Sequence, residues 1–249
     1  MITSKQNQTV KRVVALKQKK GREEFGCYVV EGVKMVSDAL KFGAEVEEIF
    51  VTEKHQNTFL KAFSNVTLVS EQLFNFISDE VTPQGVLAVI KIPKNVAIGR
   101  LTRCFLLDRV QDPGNVGTIT RIATACGIKD ILLIDSADPY SPKAVRSSMS
   151  GIYHVNVIKL SEREVIDLLK EQGIALISAD MGEREVFSYI APEKFCLCVG
   201  NEGNGISDNI LSASDEILSI PMEKGIESLN VSVAAGVMMY SLLYNNKRR

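Results

Sequence analysis

Three stretches in the second half of the chain gather residue types that could bind a ligand and steady developing charge. In the first, Asp108-Arg109-Val110-Gln111-Asp112-Pro113-Gly114-Asn115-Val116-Gly117 runs into a helix-like segment carrying Arg121. Pro113 biases Asp112 away from helix, and Gly114 and Gly117 relax the backbone. Asn115 suits an N-cap or first-turn position. Ile119, Ile122 and Ala123 are spaced to face a core, which leaves Arg121 near the ligand-facing end. Alone, this stretch is also compatible with Asn115 as a simple cap and Arg121 as a salt-bridge partner. In the second, the apolar run Phe195–Gly200 breaks into Asn201-Glu202-Gly203-Asn204-Gly205. Its glycines follow G-x-x-G-x-G, not the G-x-G-x-x-G of dinucleotide loops, and Glu202 would repel a phosphate. The third is Ile220-Pro221-Met222, followed after five residues by Ser228-Leu229-Asn230-Val231-Ser232 at the head of an apolar helix. A core helix explains the apolar residues but not the polar run at its start.

The elements that must position these stretches follow from hydrophobic patterning. The chain has 249 residues, 45% of them apolar and 24% charged, with a net charge of -1. That length allows two domains, and the composition is that of an ordinary globular protein. The second half alternates short apolar strands (104–108, 130–135, 155–160, 174–180, 195–200 and 217–220) with helices (115–126, 141–149, 161–172 and 228–245). Such strands imply a mostly parallel sheet covered on both faces, with ligands at the carboxyl ends of its strands. The first half forms a smaller α/β unit: strands 27–31, 46–52, 66–70 and 84–92, helices 33–40 and 58–63, and a helix start at Ser70. The pattern lapses over 93–103. We therefore expect a domain of residues 1–95, a linker near 93–103 and a domain of residues 104–249.

The first 22 residues include Lys5, Lys11, Arg12, Lys17, Lys19, Lys20 and Arg22 and no acid. With Val10, Val13, Val14 and Leu16 they read as a basic amphipathic helix ending near Gly21. It could be a solvated face or an arm that touches RNA phosphates. The five cysteines form no C-x-x-C pair, and the two histidines stand far apart. We expect reduced core thiols, a cytoplasmic location and no metal. No apolar run reaches the ~18 residues of a membrane helix, and the polar start lacks the apolar middle of a signal peptide.

Taken in order, the three stretches resemble the motifs of the SpoU (TrmH) branch of the SPOUT RNA methyltransferases. The matching segments are D-x-x-x-D-P-x-N-x-G…R at Asp108 to Arg121, G-N-E-G-x-G at Gly200 to Gly205, and I-P-M…E-S-L-N-V-S-V-A at Ile220 to Ala234. The resemblance spans the whole second domain. More loosely, the first domain is similar to that family's substrate-binding domain, with Phe25 to Gly32 as its best local match.

The resemblance implies transfer of a methyl group from S-adenosylmethionine to a ribose 2′-hydroxyl of RNA. Ribosomal RNA is favoured over transfer RNA because of the extra N-terminal domain. The implied fold is α/β: a small domain like ribosomal RNA-binding proteins, and a SPOUT parallel-sheet domain with a C-terminal trefoil knot. Knots are nearly absent from proteins, so patterning could not suggest one. A homodimer through the final helix is implied as well. Carried over by position, Asn115, Arg121, Glu202, Ser228 and Asn230 are the polar active-site residues. Gly200, Ile220, Met222 and Leu229 would hold the methyl donor. Arginine is effectively always protonated, so Arg121 is better read as the cation that steadies a forming alkoxide than as a base. Three alternatives stay open: a non-catalytic RNA-binding protein on the same fold, the same reaction on transfer RNA, and a nucleotide-dependent oxidoreductase. The glycine spacing disfavours the last.

Overall fold

The computed structural model describes residues 1–94, 98–225 and 228–245. In the first half the elements are α1 (Gln8–Leu16), α2 (Lys19–Phe25), β1 (Cys27–Glu31), α3 (Val33–Lys41), β2 (Val46–Val51), α4 (Glu53–Leu60), β3 (Val66–Leu68), α5 (Glu71–Ile77) and β4 (Val86–Lys91). The second half contains β5 (Arg103–Asp108), α6 (Pro113–Ala125), β6 (Asp130–Ile134), α7 (Pro142–Ser148), β7 (Asn156–Lys159), α8 (Glu162–Gln172), β8 (Ala175–Glu185), β9 (Phe195–Val199), α9 (Asp208–Ala213), β10 (Glu216–Ser219) and α10 (Val231–Tyr244). The chain divides into two compact units, residues 1–94 with 140–153, and residues 95–139 with 154–249.

The first unit is built on a four-stranded sheet in the order β1-β4-β2-β3. Strand β4 runs antiparallel to both neighbours, and β2 and β3 are parallel. Val10, Val13 and Leu16 of α1 pack with Leu73, Phe74 and Ile77 of α5 over one face of that sheet. The basic segment is two helices, not the single helix expected to end near Gly21. Arg22 folds back to donate to the carbonyls of Leu16 at 2.8 Å and Lys17 at 2.9 Å, where a helix end leaves carbonyls to be satisfied from outside. Gly21 lies so close to that end that a Cβ would sit 2.1 Å from the Ala15 carbonyl oxygen. The helix expected over 58–63 begins earlier, at Glu53. Its only buried residue is Phe59, so it carried almost no apolar stripe to read.

Residues 140–153 group with the first unit, although the sequence reading placed them in the second domain. Tyr140 packs its ring 5.0 Å from that of Tyr28. Arg146 pairs with Asp79 at 2.8 Å, the Ser150 hydroxyl donates to Asp38 at 2.7 Å, and Tyr153 donates to the Met35 carbonyl at 3.2 Å. Helical periodicity identifies α7 as a helix but does not specify which sheet it covers.

The second unit is a six-stranded, fully parallel sheet in the order β10-β8-β9-β5-β6-β7. Alternate residues of the central strand β5 serve opposite faces, as the two-residue period requires. Phe105 and Leu107 pack with Ile119 and Ala123 of α6 and Ala235, Met238 and Leu242 of α10. Cys104 and Leu106 pack with Val165 and Leu169 of α8 and Ile210 of α9. Burial pushes the Cys196 and Cys198 thiols well up, as expected of inert core residues. Strand β8 leaves its ladder partway. Ser178 pairs with Ile217, but the next pair joins Arg184 to Leu218, so residues 179–183 bow out at the carboxyl end. Among the described residues no helix is long and apolar enough to cross a membrane, and no cluster of His, Cys, Asp and Glu could hold a metal.

Candidate active site

The site lies in the second unit, where β5, β8, β9 and β10 end. Asp108 closes β5 and is fully buried. Its Oδ2 accepts from the Ser207 amide at 2.6 Å, and Arg109 bonds its Oδ1 at 3.1 Å. Arg109 itself takes a φ of 58°, turning the chain toward α6. Asp112, not Asn115, caps that helix, accepting from the Gly114 amide at 2.6 Å. Asn115 therefore sits within the first turn with its side chain free for other bonds.

Those bonds join all three stretches. The Asn115 amide donates to Glu202 Oε1 at 2.8 Å, and its oxygen accepts from Asn230 Nδ2 at 3.0 Å. Asn230 caps α10, accepting from the Ser232 amide at 3.0 Å and the Val233 amide at 3.3 Å. Glu202 also receives the backbone amides of Gln111 at 3.0 Å and Asp112 at 3.2 Å. The Glu202 residue is exposed, but its carboxylate is partly shielded among these donors. That shielding is the largest single influence and pushes the carboxyl up. The bonds from Gln111, Asn115 and Asp112 together outweigh it, and the net effect holds the group below the usual carboxylate range. At neutral pH Glu202 is ionised and a weak base. It acts as a clamp.

The loop that presents Glu202 is tied to itself. The Asn201 and Gly205 backbones exchange hydrogen bonds at 2.9 and 3.0 Å, and Asn201 Oδ1 accepts from the amides of Gly203 and Asn204. Gly205 needs its φ of 68°, and a Cβ on Gly200 would lie 2.4 Å from the Gly205 carbonyl carbon. Glycine at both positions lets the loop close on itself.

Beside this loop opens a cleft of about 560 Å³. Gly200, Ile220, Met222 and Leu229 all line it, as do Glu202, Ser228 and Asn230. Asn115 reaches the rim through its two bonds. Arg121 lies outside the cleft, exposed, with no hydrogen bond or ion pair among the described residues. Asn201, which belongs to the G-N-E-G-x-G segment but is given no role there, lines the cleft too, as do Asp180 and Ser219, to which the sequence assigns no role. The sequence pattern makes Asp180 the last residue of a simple strand, 174–180. The excursion that carries it into the cleft has no patterning signal.

In the first unit the basic residues divide. Arg12 pairs with Glu47 and bonds Cys27, Lys17 donates to the Ser78 carbonyl at 2.6 Å, and Lys5 stands 4.4 Å over the Phe76 ring. Lys19 lies 3.8 Å from Glu23, and Arg22 is buried. Lys11 and Lys20 are exposed and make no such tie among the described residues.

Residues 102–240 match the SpoU rRNA Methylase family, and residues 7–88 match the MRM3-like substrate binding domain. The 23S rRNA (guanosine(2553)-2′-O)-methyltransferase RlmP of Bacillus subtilis is 33% identical, covering 97% of this chain and 98% of its own. The AdoMet-bound rRNA methyltransferase of Sinorhizobium meliloti superposes with a TM-score of 0.89 at 25% identity, over 98% of this chain and 97% of that one. The SpoU methyltransferase AviRb of Streptomyces viridochromogenes, in complex with AdoMet, gives a TM-score of 0.88 at 25% identity, over 97% and 99%. The parallel-sheet fold is thus shared with solved RNA methyltransferases. The chain belongs to the SpoU rRNA methylase family.

Proposed function

We propose that the protein transfers the methyl group of S-adenosylmethionine to a ribose 2′-hydroxyl of ribosomal RNA. The observation that carries this reading is the bonded series Glu202–Asn115–Asn230, which draws three distant loops together at the rim of one cleft. The cleft suits the donor. Its volume falls within the range of small-molecule sites. Bare backbone at Gly200 and apolar side chains at Ile220, Met222 and Leu229 fit an adenosine. Glu202 and Asp180 bring negative charge, and among the described residues no lysine or arginine lines the wall. That charge favours a cationic donor over a dinucleotide phosphate.

S-adenosylmethionine supplies a methyl group already activated on a sulfonium, so the chain must mainly align the acceptor and steady its charge. A guanidinium carries its charge at any working pH, and Arg121, untied among the described residues, can meet the forming alkoxide and a neighbouring phosphate. Ser228 and Asn230 order the rim against which the acceptor lies. Asn115 and Glu202 hold that rim closed. None of these roles requires a metal ion.

In this reading residues 1–95 bind the RNA substrate and residues 104–249 form the catalytic domain, with Lys5, Lys11, Arg12, Lys17, Lys19 and Lys20 offered to phosphates. The extra N-terminal unit favours ribosomal over transfer RNA. We further read the catalytic domain as knotted by the chain from β10 into α10. Helix α10 packs against α6, β8 and β9 in support of this. A homodimer through α10 would cover Val233, Tyr240 and Tyr244, which are 51%, 43% and 49% exposed on a helix apolar nearly all round. Five free cysteines, four of them buried, suit a reducing cytoplasm.

The test is mass-spectrometric mapping of 2′-O-methyl nucleotides in RNA from cells with and without the protein. One ribosomal 2′-O-methyl group should vanish. Unchanged ribosomal RNA together with a lost transfer-RNA methyl group would move the substrate assignment. Sedimentation at micromolar concentration should show a dimer, and a fully active monomer would contradict the α10 interface.

A further inference from the structure

The cleft is lined by two carboxylates and no lysine or arginine among the described residues. The two carboxylates differ in what already holds them. Glu202 is occupied by two backbone amides and Asn115. Asp180 rides the excursion of β8, and its Oδ1 accepts only from the next amide, Met181, at 2.6 Å. Its Oδ2 faces the glycine turn, 3.8 Å from where a Cβ on Gly205 would lie. No side-chain donor or cation reaches Asp180 among the described residues. A charge left unpaired in a partly desolvated cleft is costly unless a ligand meets it.

We infer that Asp180 is the counter-ion for the ammonium group of the methyl donor's amino-acid moiety. The inference rests on the methyl-donor reading of the cleft. The donor carries two positive charges. The sulfonium loses its charge as the methyl leaves, so a carboxylate against it would stabilise the ground state more than the transition state and slow transfer. The ammonium keeps its charge throughout. A counter-ion there adds affinity without raising the barrier, and it serves the demethylated product equally.

The test is isothermal titration of the full-length protein, wild type, Asp180→Asn and Asp180→Glu, with three probes. S-adenosylmethionine carries both charges, S-adenosylhomocysteine only the ammonium, and 5′-methylthioadenosine neither. Asp180→Asn should weaken the first two by the same factor, roughly tenfold to a hundredfold, the scale of one charge-assisted bond. Binding of 5′-methylthioadenosine should stay unchanged, which also shows the variant to be folded, and Asp180→Glu should recover part of the loss. The assignment is overturned by a loss confined to S-adenosylmethionine, by an equal loss for 5′-methylthioadenosine, or by no loss at all. Wild-type protein that binds none of the three probes would instead overturn the methyl-donor reading itself, and this inference with it.

Discussion

The basic helices at the N-terminus and the glycine-walled cleft are both polar regions, but their polar groups are used differently. In the cleft, side chains from three loops bond one another: Asn115 to Glu202 across 87 residues of sequence, and Asn230 to Asn115 across 115. Those bonds build a surface that faces a ligand. Among the first 22 residues most cations are bound up in the fold itself, Arg12 with Glu47, Lys17 with Ser78 and Arg22 with the end of α1. A charged residue is thus poor evidence of function until its partners are known. By that standard, untied cations such as Arg121 in the second unit and Lys11 and Lys20 in the first are more readily available to RNA than the tied ones.

The sharpest way to break this comparison is Arg121→Ala. If this free cation steadies the reacting oxygen, methyl transfer should fall about 100- to 1000-fold. Donor affinity measured by titration should hardly move, because Arg121 does not line the cleft. Arg121→Lys should also be poor, since a point charge does not replace the planar fork. Near-normal turnover in both variants would mean that the unpaired arginine is ordinary surface.

A smaller effect is expected at the clamp. Glu202→Gln keeps the shape but weakens the bonds to Gln111, Asp112 and Asn115, and should cost roughly 1–2 kcal/mol in denaturant unfolding. The carboxyl is held below its ordinary value in the folded protein. Its contribution is therefore complete above the unfolded value, near pH ~4.3, and is lost as pH falls through the lower folded value. Wild-type stability should lose this share only in acid, and the glutamine variant should lack that part of the pH dependence. A stability difference between the two that stays constant down to pH 3 would show that the carboxylate is not the clamp.

Much of this was legible in the sequence. The central strands of the parallel sheet were the most readable, because buried strands are nearly continuous apolar runs, and β9 is buried from Phe195 to Val199. The three loops were readable because glycine, proline and asparagine are demanded by backbone geometry at fixed spacing. What escaped was whatever depends on tertiary partners. The cap of α6 is Asp112 because its oxygen reaches the Gly114 amide, while Asn115 is drawn away by Glu202 and Asn230. Asp180 entered the cleft through a register jump in β8 that leaves no periodic trace. Residues 140–153 carry a helix pattern, but their allegiance to the first unit rests on Tyr28, Asp38 and Asp79, more than 60 residues away. The break between α1 and α2 rests on Arg22, which looked like one more surface cation.

The finest test separates cations within the basic stretch itself. Each phosphate contact made by a free lysine adds about 0.7–0.9 to the slope of log affinity against log salt, because a counterion is released. Lys11 and Lys20 are exposed and untied, so Lys11→Ala and Lys20→Ala should each lower that slope by about this amount in filter binding to the substrate RNA. Neither should change thermal unfolding. Arg12 is held by Glu47 and Cys27, so its contribution to RNA binding would first require breaking those bonds. Arg12→Ala should therefore lower the melting temperature and leave the slope nearly as it was. The reverse pattern, a slope that follows Arg12 and ignores both lysines, would show that RNA recruits cations already tied into the fold. Binding to RNA would then have to draw the Arg12 side chain off Cys27 of β1 and Glu47 of β2.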